Sequence, residues 1–288
     1  MLSDPQHEGT QPDPRITVSL KPVLSIVCEP RLVNAVEAWN FDKPDPEFAF
    51  TSMIWEQDGD FYHYRREERS SALSLHAKRE LFEKAILIPR DYYLGKLPPP
   101  EAPATRAESS CLSDPSVYFK NIQPYEYDPR PPTPADSLAH EMRVCEELRL
   151  NLHPNICRYL GYVPTPDGKQ LFGLCFERHQ IDLYDAVQNE VNFDAATVID
   201  GVRRGLEHLH SLGYAHNDIN PSNIVLDKNV LPVIIDFDSC QKIGGSLKEM
   251  KTGTQDFEHH SDVSRPENDF YGLAKVQEWL AERLSKCE

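Results

Sequence analysis

No run of apolar residues in the 288-residue chain approaches the roughly 20 needed to span a bilayer. The opening stretch, MLSDPQHEGTQPDPR, has neither the basic start nor the apolar core of a signal peptide. No C-x-x-C pair occurs. The seven cysteines, an odd number, are scattered at positions 28, 111, 145, 157, 175, 240 and 287. They read as reduced, mostly buried thiols, not as a disulfide framework or a zinc site. Basic residues are outnumbered, 30 against 46 acidic, for a net charge of −16. Such a surface repels a phosphate backbone, which excludes nucleic acid as an expected partner. Glycine is scarce at the front: only Gly9, Gly59 and Gly95 fall within the first 116 residues, so no G-x-G-x-x-G loop is present there. These absences leave a soluble protein of the cytoplasm or nucleus, with no membrane partner.

The most informative stretch runs from Leu212 to Cys240, LGYAHNDINPSNIVLDKNVLPVIIDFDSC. It contains an H-x-D-x-x-x-x-N block, His216, Asp218 and Asn223, then an apolar run, Val233-Ile234-Ile235, that reads as a buried strand. Asp236 and Phe237 follow, with Asp236 emerging at the C-terminal end of that strand, where a pocket floor is expected. An Asx-rich turn between a helix and a hairpin, with Asp and Asn only capping backbone groups, would use the same residues.

The block resembles the catalytic and metal-binding core of the eukaryotic-protein-kinase-like phosphotransferases. In-line phosphoryl transfer needs a carboxylate to orient and deprotonate the attacking hydroxyl, and oxygen ligands to hold Mg2+ against the triphosphate. The resemblance implies ATP and Mg2+ as cofactors, Asp218 as the base, and Asn223 and Asp236 as metal ligands. Upstream, Val117-Tyr118-Phe119-Lys120 resembles the V-A-I-K strand whose lysine holds the α- and β-phosphates. The helix SLAHEMRVCEELRL then offers Glu141 as the partner of Lys120, with Glu146 and Glu147 as rivals, and HPNICRYLGY follows. Leu171 to Glu177 resembles the strand entering the adenine hinge: Phe176 would guard the back of the pocket, and Glu177 to His179 would supply the hinge backbone. Asp269, opening the last long helix, would hydrogen-bond the catalytic loop and hold His216 and Asp218 in place.

The expected fold is α+β, a bilobal kinase-like architecture with a shortened C-lobe. Residues 1–15 read as a disordered tail and 16–110 as an N-terminal extension with a proline-rich linker. Residues 111–288 read as the kinase-like domain, with its small lobe at 111–179 and its C-lobe at 180–288. Short strands are expected within 16–27, a hairpin over 47–66 turning at Gln57-Asp58-Gly59-Asp60, and an amphipathic helix over 71–87. The proline-rich stretches 96–110 and 124–134 read as a linker or exposed loop and an interruption. Helices are expected over 181–187 and 194–212, the second stopping at Gly213. The extension either supplies the strands missing from the small lobe or covers the C-lobe.

Several family features are missing. The glycine lid is absent, Asp238 stands where glycine is usual after Asp-Phe, and Asn217 replaces the arginine of H-R-D. Asn220 replaces a lysine, and Pro266-Glu267 lies too close to Asp269 to serve as A-P-E. The five polar residues of the reaction centre are all present. Three functions follow from this pattern: a phosphotransferase acting on a hydroxyl acceptor, with protein Ser/Thr favoured, a pseudokinase scaffold, or a small-molecule kinase of the aminoglycoside-phosphotransferase-like branch. Loop phosphorylation at Thr252 or Thr254 is expected not to switch activity on, unless Lys248 or Lys251 takes over the missing arginine's role.

Overall fold

The computed structural model describes residues 29–40, 45–69, 75–102, 104–248, 250 and 253–285. The strands expected within 16–27 lie outside the described residues. At the front, β1 (Arg31–Asn40), β2 (Glu47–Gln57), β3 (Asp60–Arg66) and β4 (Ile86–Leu87) form an antiparallel sheet in sequence order, with α1 (Leu75–Phe82) between β3 and β4. The β2–β3 hairpin turns where the sequence places it. Asp58 and Gly59 both take positive φ, 54° and 82°, as a tight two-residue hairpin turn requires. The expected helix over 71–87 is shorter at its end. Pro89 disfavours helical backbone in the residue before it, and Ile86–Leu87 instead pairs with Tyr62 and His63.

The small lobe centres on β8 (Gln170–Glu177), which pairs antiparallel with β5 (Gly95–Lys96), β6 (Val117–Asn121) and β7 (Tyr159–Pro164). Among the described residues the front sheet shares no strand with it. Ile54, Ile88, Tyr92, Tyr93 and Leu94 instead pack against Ile122, Tyr127 and Phe172, so the two sheets meet through side chains. Among the described residues β6 therefore pairs with β8 alone, and no strand lies along its other edge. The stretch 96–110, expected as a linker or exposed loop, is bonded into this lobe. Tyr162 donates its N–H to the Thr105 carbonyl at 2.8 Å and accepts from the Ala107 N–H at 2.9 Å. Gly161, at φ 136°, permits that approach, because a Cβ there would stand 2.6 Å from the Thr105 carbonyl oxygen.

The second proline stretch leads into α2 (Pro134–Arg149). Thr133 and Asp136 form a reciprocal capping box, and Pro134 opens the first turn, where its missing N–H costs nothing. The large lobe follows, with β9 (Ile181–Asp182), α3 (Leu183–Gln188), α4 (Ala195–Ser211), β10 (Tyr214–Ala215), β11 (Ile224–Leu226), β12 (Pro232–Ile234), β13 (Gln241–Lys242) and α5 (Pro266–Leu284). The helix expected over 181–187 begins two residues late, because Ile181–Asp182 pairs with β11 and the Asp182 carboxylate caps α3. α4 matches its period: Val198, Val202, Leu206 and Leu209 are buried in the core shared with Ile224, Ile234 and Val276, and Gly213 at φ 83° ends it. Cys145, Cys157, Cys175 and Cys240 are free and buried. Among the described residues no helix is long and apolar enough to cross a membrane.

Candidate active site

On α2, Leu138, Met142 and Cys145 form the inner stripe at helical spacing, and Glu141 falls within it. A carboxylate in an apolar stripe needs a partner. Glu141 has two: the Lys120 ammonium at 2.6 Å and the backbone N–H of Phe237, which donates to its other oxygen at 3.1 Å. Lys120, at the cleft end of β6, also bonds the Asp236 carboxylate. Burial opposes the charge on Lys120, but the carboxylates of Glu141, Asp236 and Asp238 outweigh it and hold its pKa well above the ordinary value. Burial pushes Glu141 the other way for an acid, up to about 7, with Lys120 restraining the rise. Of the rivals, Glu146 is bound elsewhere: it accepts the Thr105 N–H at 2.6 Å and the Thr105 hydroxyl at 3.1 Å.

Asp236 leaves β12 in left-handed backbone, φ 65° and ψ 73°, a conformation that Asp tolerates better than most residues. Phe237 is fully buried with its ring edge-on to His216, 5.4 Å between centroids. Asp238 lies in a 3-10 turn, Phe237–Ser239, and is not among the positive-φ residues. The conformational freedom of glycine is therefore not required there.

Asp218 is 4 % exposed and fixed on both oxygens. One accepts from the Thr254 N–H at 2.8 Å and from the Asn220 amide at 3.1 Å; the other accepts from the Asn223 amide at 3.1 Å. The Asn220 amide also reaches the Thr254 hydroxyl at 2.9 Å, and its oxygen accepts the Ser222 N–H at 2.9 Å. In sequence, Asn220 shows only as a lost lysine. The Asn-Pro-Ser turn signal around it was the available clue to its positioning role.

The loop is held from below by Asp269, which is fully buried. Its carboxylate accepts the backbone N–H groups of His216 at 2.8 Å and Asn217 at 2.6 Å, and His210 Nε2 lies 2.7 Å away, a contact the sequence did not reveal. His216 Nε2 sits 2.9 Å from the Ile235 carbonyl, tying the loop to the end of β12. Asn217, at φ 64°, donates to the carbonyls of Ala215 and Ser239 and to the Ser264 hydroxyl, and accepts from Asn268 at 3.0 Å. Asn217 is thus spent on internal bonds.

Lys120, Glu141, Asn223 and Asp236 line a single cleft of about 430 Å³ together with Phe176, Glu177 and His179. Phe176 is buried, 5.6 Å from the Tyr159 ring. The His179 Nε2 atom is buried with no hydrogen-bond partner among the described residues, and burial lowers the pKa of the ring. Val225 and Ile235 line the cleft from the large lobe. The donors suit Mg2+, which takes oxygen ligands. Asn223 spends its amide nitrogen on Asp218, leaving its oxygen to offer beside the Asp236 carboxylate. Among the described residues no group of three or more His, Cys, Asp or Glu side chains could hold a metal unaided. A Mg2+ here would complete its shell with phosphate oxygens and water, as it usually does.

The family model for the protein kinase domain matches residues 114–260, just over half of the chain. Serine/threonine-protein kinase 16 of Rattus norvegicus is 32% identical over 133 residues, covering 39% of this chain and 44% of that protein. Serine/threonine-protein kinase PSK1 of Saccharomyces cerevisiae is 28% identical over 125 residues, 42% of this chain and 9% of that protein. The chain thus spans less than half the length of either relative. A crystal structure of the yeast RNA Pol II CTD kinase CTDK-1 complex is similar with a TM-score of 0.45 at 20% identity, over 58% of this chain and 55% of that one.

Proposed function

Because the chain belongs to the protein kinase domain family, we propose that it is a phosphotransferase moving the terminal phosphoryl group of ATP, with Mg2+, to a hydroxyl of a protein Ser or Thr. One observation carries the reading: the Lys120 ammonium is held in the cleft by Glu141 at 2.6 Å together with Asp236. That arrangement places a permanent cation where phosphate oxygens need one. Asp236 and Asn223 would hold the Mg2+, which would supply neutralising charge at the phosphates. Phe176 closes the back of the base pocket, and the Glu177–His179 segment offers backbone groups to the base. Asp218 orients the acceptor hydroxyl and takes its proton as the new P–O bond forms and ADP departs. Positioning and fixed charge supply nearly all the rate. The reading fits a protein of the cytoplasm or nucleus.

The test is transfer of radiolabelled phosphate from ATP to mixed proteins and, separately, to hydroxylated metabolites. Asp218→Ala should abolish transfer to protein while leaving nucleotide binding largely intact. Equal turnover by parent and variant would sink the assignment, and label confined to metabolites would move the acceptor to a small molecule.

A second reading, a scaffold without turnover, is favoured by the edge of β6 that no strand covers among the described residues and by Asp218, whose two oxygens already have protein donors. Millimolar MgATP that raises Tm without any phosphate transfer by the parent would select it.

A further inference from the structure

We propose that Tyr118 is the platform on which the nucleobase stacks. The proposal rests on the nucleotide-binding reading of the cleft and adds a residue to it. Successive side chains on a strand point to opposite faces, so Tyr118 and Lys120 share one face of β6. Lys120 marks that face as the one turned into the cleft, and Tyr118 lines the same cleft. Phe119, between them, turns the other way and meets Phe172 at 5.4 Å between ring centroids.

Register fixes which end of the cleft Tyr118 occupies. It pairs opposite Phe176, beside the hinge, whereas Lys120 pairs opposite Leu174. The aromatic ring thus stands at the base end and the ammonium at the phosphate end of one strand face. The ring is 48 % exposed although its neighbour Val117 is buried. Its pose is nevertheless restrained: the Arg178 guanidinium lies over it, 5.6 Å from the centroid, and Arg178 is itself tied to the Val117 carbonyl at 3.1 Å. A cation over a ring face is attracted by the ring's quadrupole, which restrains the ring. Among the described residues no strand adjoins β6 on that side, so Tyr118 supplies cover the sheet does not.

A bulky ring there could instead plug the pocket. The cleft argues against that: with Tyr118 in place about 430 Å³ remains, within the ~300–1,000 Å³ of ligand sites generally. Across it lie Val225 and Ile235, apolar side chains suited to the opposite face of a flat base.

Base–aromatic stacking depends on a π-face and is lost on alanine substitution, by roughly 5- to 100-fold in affinity. The experiment is calorimetric titration of the full chain, as parent, Tyr118→Ala and Tyr118→Phe, with MgADP and in parallel with magnesium tripolyphosphate. We expect Tyr118→Ala to weaken MgADP at least five-fold and tripolyphosphate less than two-fold, with Tyr118→Phe matching the parent for both. MgADP binding by Tyr118→Ala as tight as the parent's, or tighter, overturns the platform while leaving the cleft a nucleotide site. A parent that binds neither probe overturns the nucleotide reading itself. Equal weakening of both probes by Tyr118→Ala also overturns the proposal, since it would show a general disturbance of the cleft.

Discussion

Thr254 donates its backbone N–H to the Asp218 carboxylate at 2.8 Å, and its hydroxyl accepts from the Asn220 amide that holds the same carboxylate. A residue late in the segment after Asp236 is therefore part of the support for the candidate base. Any negative charge placed on it would face Asp218 directly.

That relationship sharpens the expectation about regulation. Thr254→Glu should lower turnover ten-fold or more, about 1.4 kcal/mol in barrier, by setting like charges together, while MgADP affinity stays unchanged. Thr254→Ser should keep parent activity. Steady-state kinetics with parallel nucleotide titration checks this, and activation by Thr254→Glu would contradict it. Thr252 and Lys251 lie outside the described residues. Lys248 pairs with Asp262 at 3.3 Å.

Removing Lys120 should steepen the dependence of stability on pH. Glu141's folded pKa is raised by burial from 4.5 to about 7, so the folded state keeps a proton that the unfolded state releases. Stability therefore falls as pH rises between those values, and loss of Lys120, which opposes the shift, deepens the fall. Relative to the parent, Lys120→Met should lose about 1 kcal/mol more between pH 5 and pH 8, the extra loss falling above pH 7. Lys120→Met/Glu141→Gln should lose that dependence. Urea denaturation at both pH values reads it.

Asp269 accepts two backbone N–H groups with no solvent access. Asp269→Ala leaves both unsatisfied and should cost roughly 2–5 kcal/mol, seen as a lower urea midpoint. Asp269→Asn, which retains one acceptor, should cost less and still reduce phosphate transfer.

Two glutamates five positions apart on α2 should behave differently. Glu146→Ala should speed hydrogen exchange at Ala107 and Tyr162, whose mutual bonds depend on Thr105 being held, without altering MgADP affinity. Glu141→Gln should weaken MgADP and leave those amides protected. Matching effects from the two variants would break the assignment of separate tasks.

Much of this was legible beforehand because short-range chemistry dictated it. Asp58-Gly59 demanded positive φ, Gly213 closed α4, and the spacing from His216 to Asp236 placed one loop and one strand end together. Glu141 could be selected because it shares the apolar stripe of α2, although the sequence also left Glu146 open. Long-range pairing was not legible. Nothing local to residues 96–110 shows that Thr105 and Ala107 bond Tyr162, since the partner lies over 50 positions away. Asn217 and Asn220 show in the sequence only as losses of charge, because amide hydrogen bonds to distant backbone leave no pattern in the chain. Ile181–Asp182 misled for the same reason: its strand partner is β11.

The buried thiols have a practical use. Cys145 sits on α2, Cys157 before β7, Cys175 on β8 and Cys240 after the Phe237 turn, so they sample both lobes. Burial pushes Cys157 up to about 12 and Cys175 up to about 11, which keeps the nucleophilic thiolate scarce near neutrality. Each sulfur is therefore silent toward alkylating reagents until its surroundings open. The order in which the four become labelled records which lobe breathes first, using probes the chain already carries.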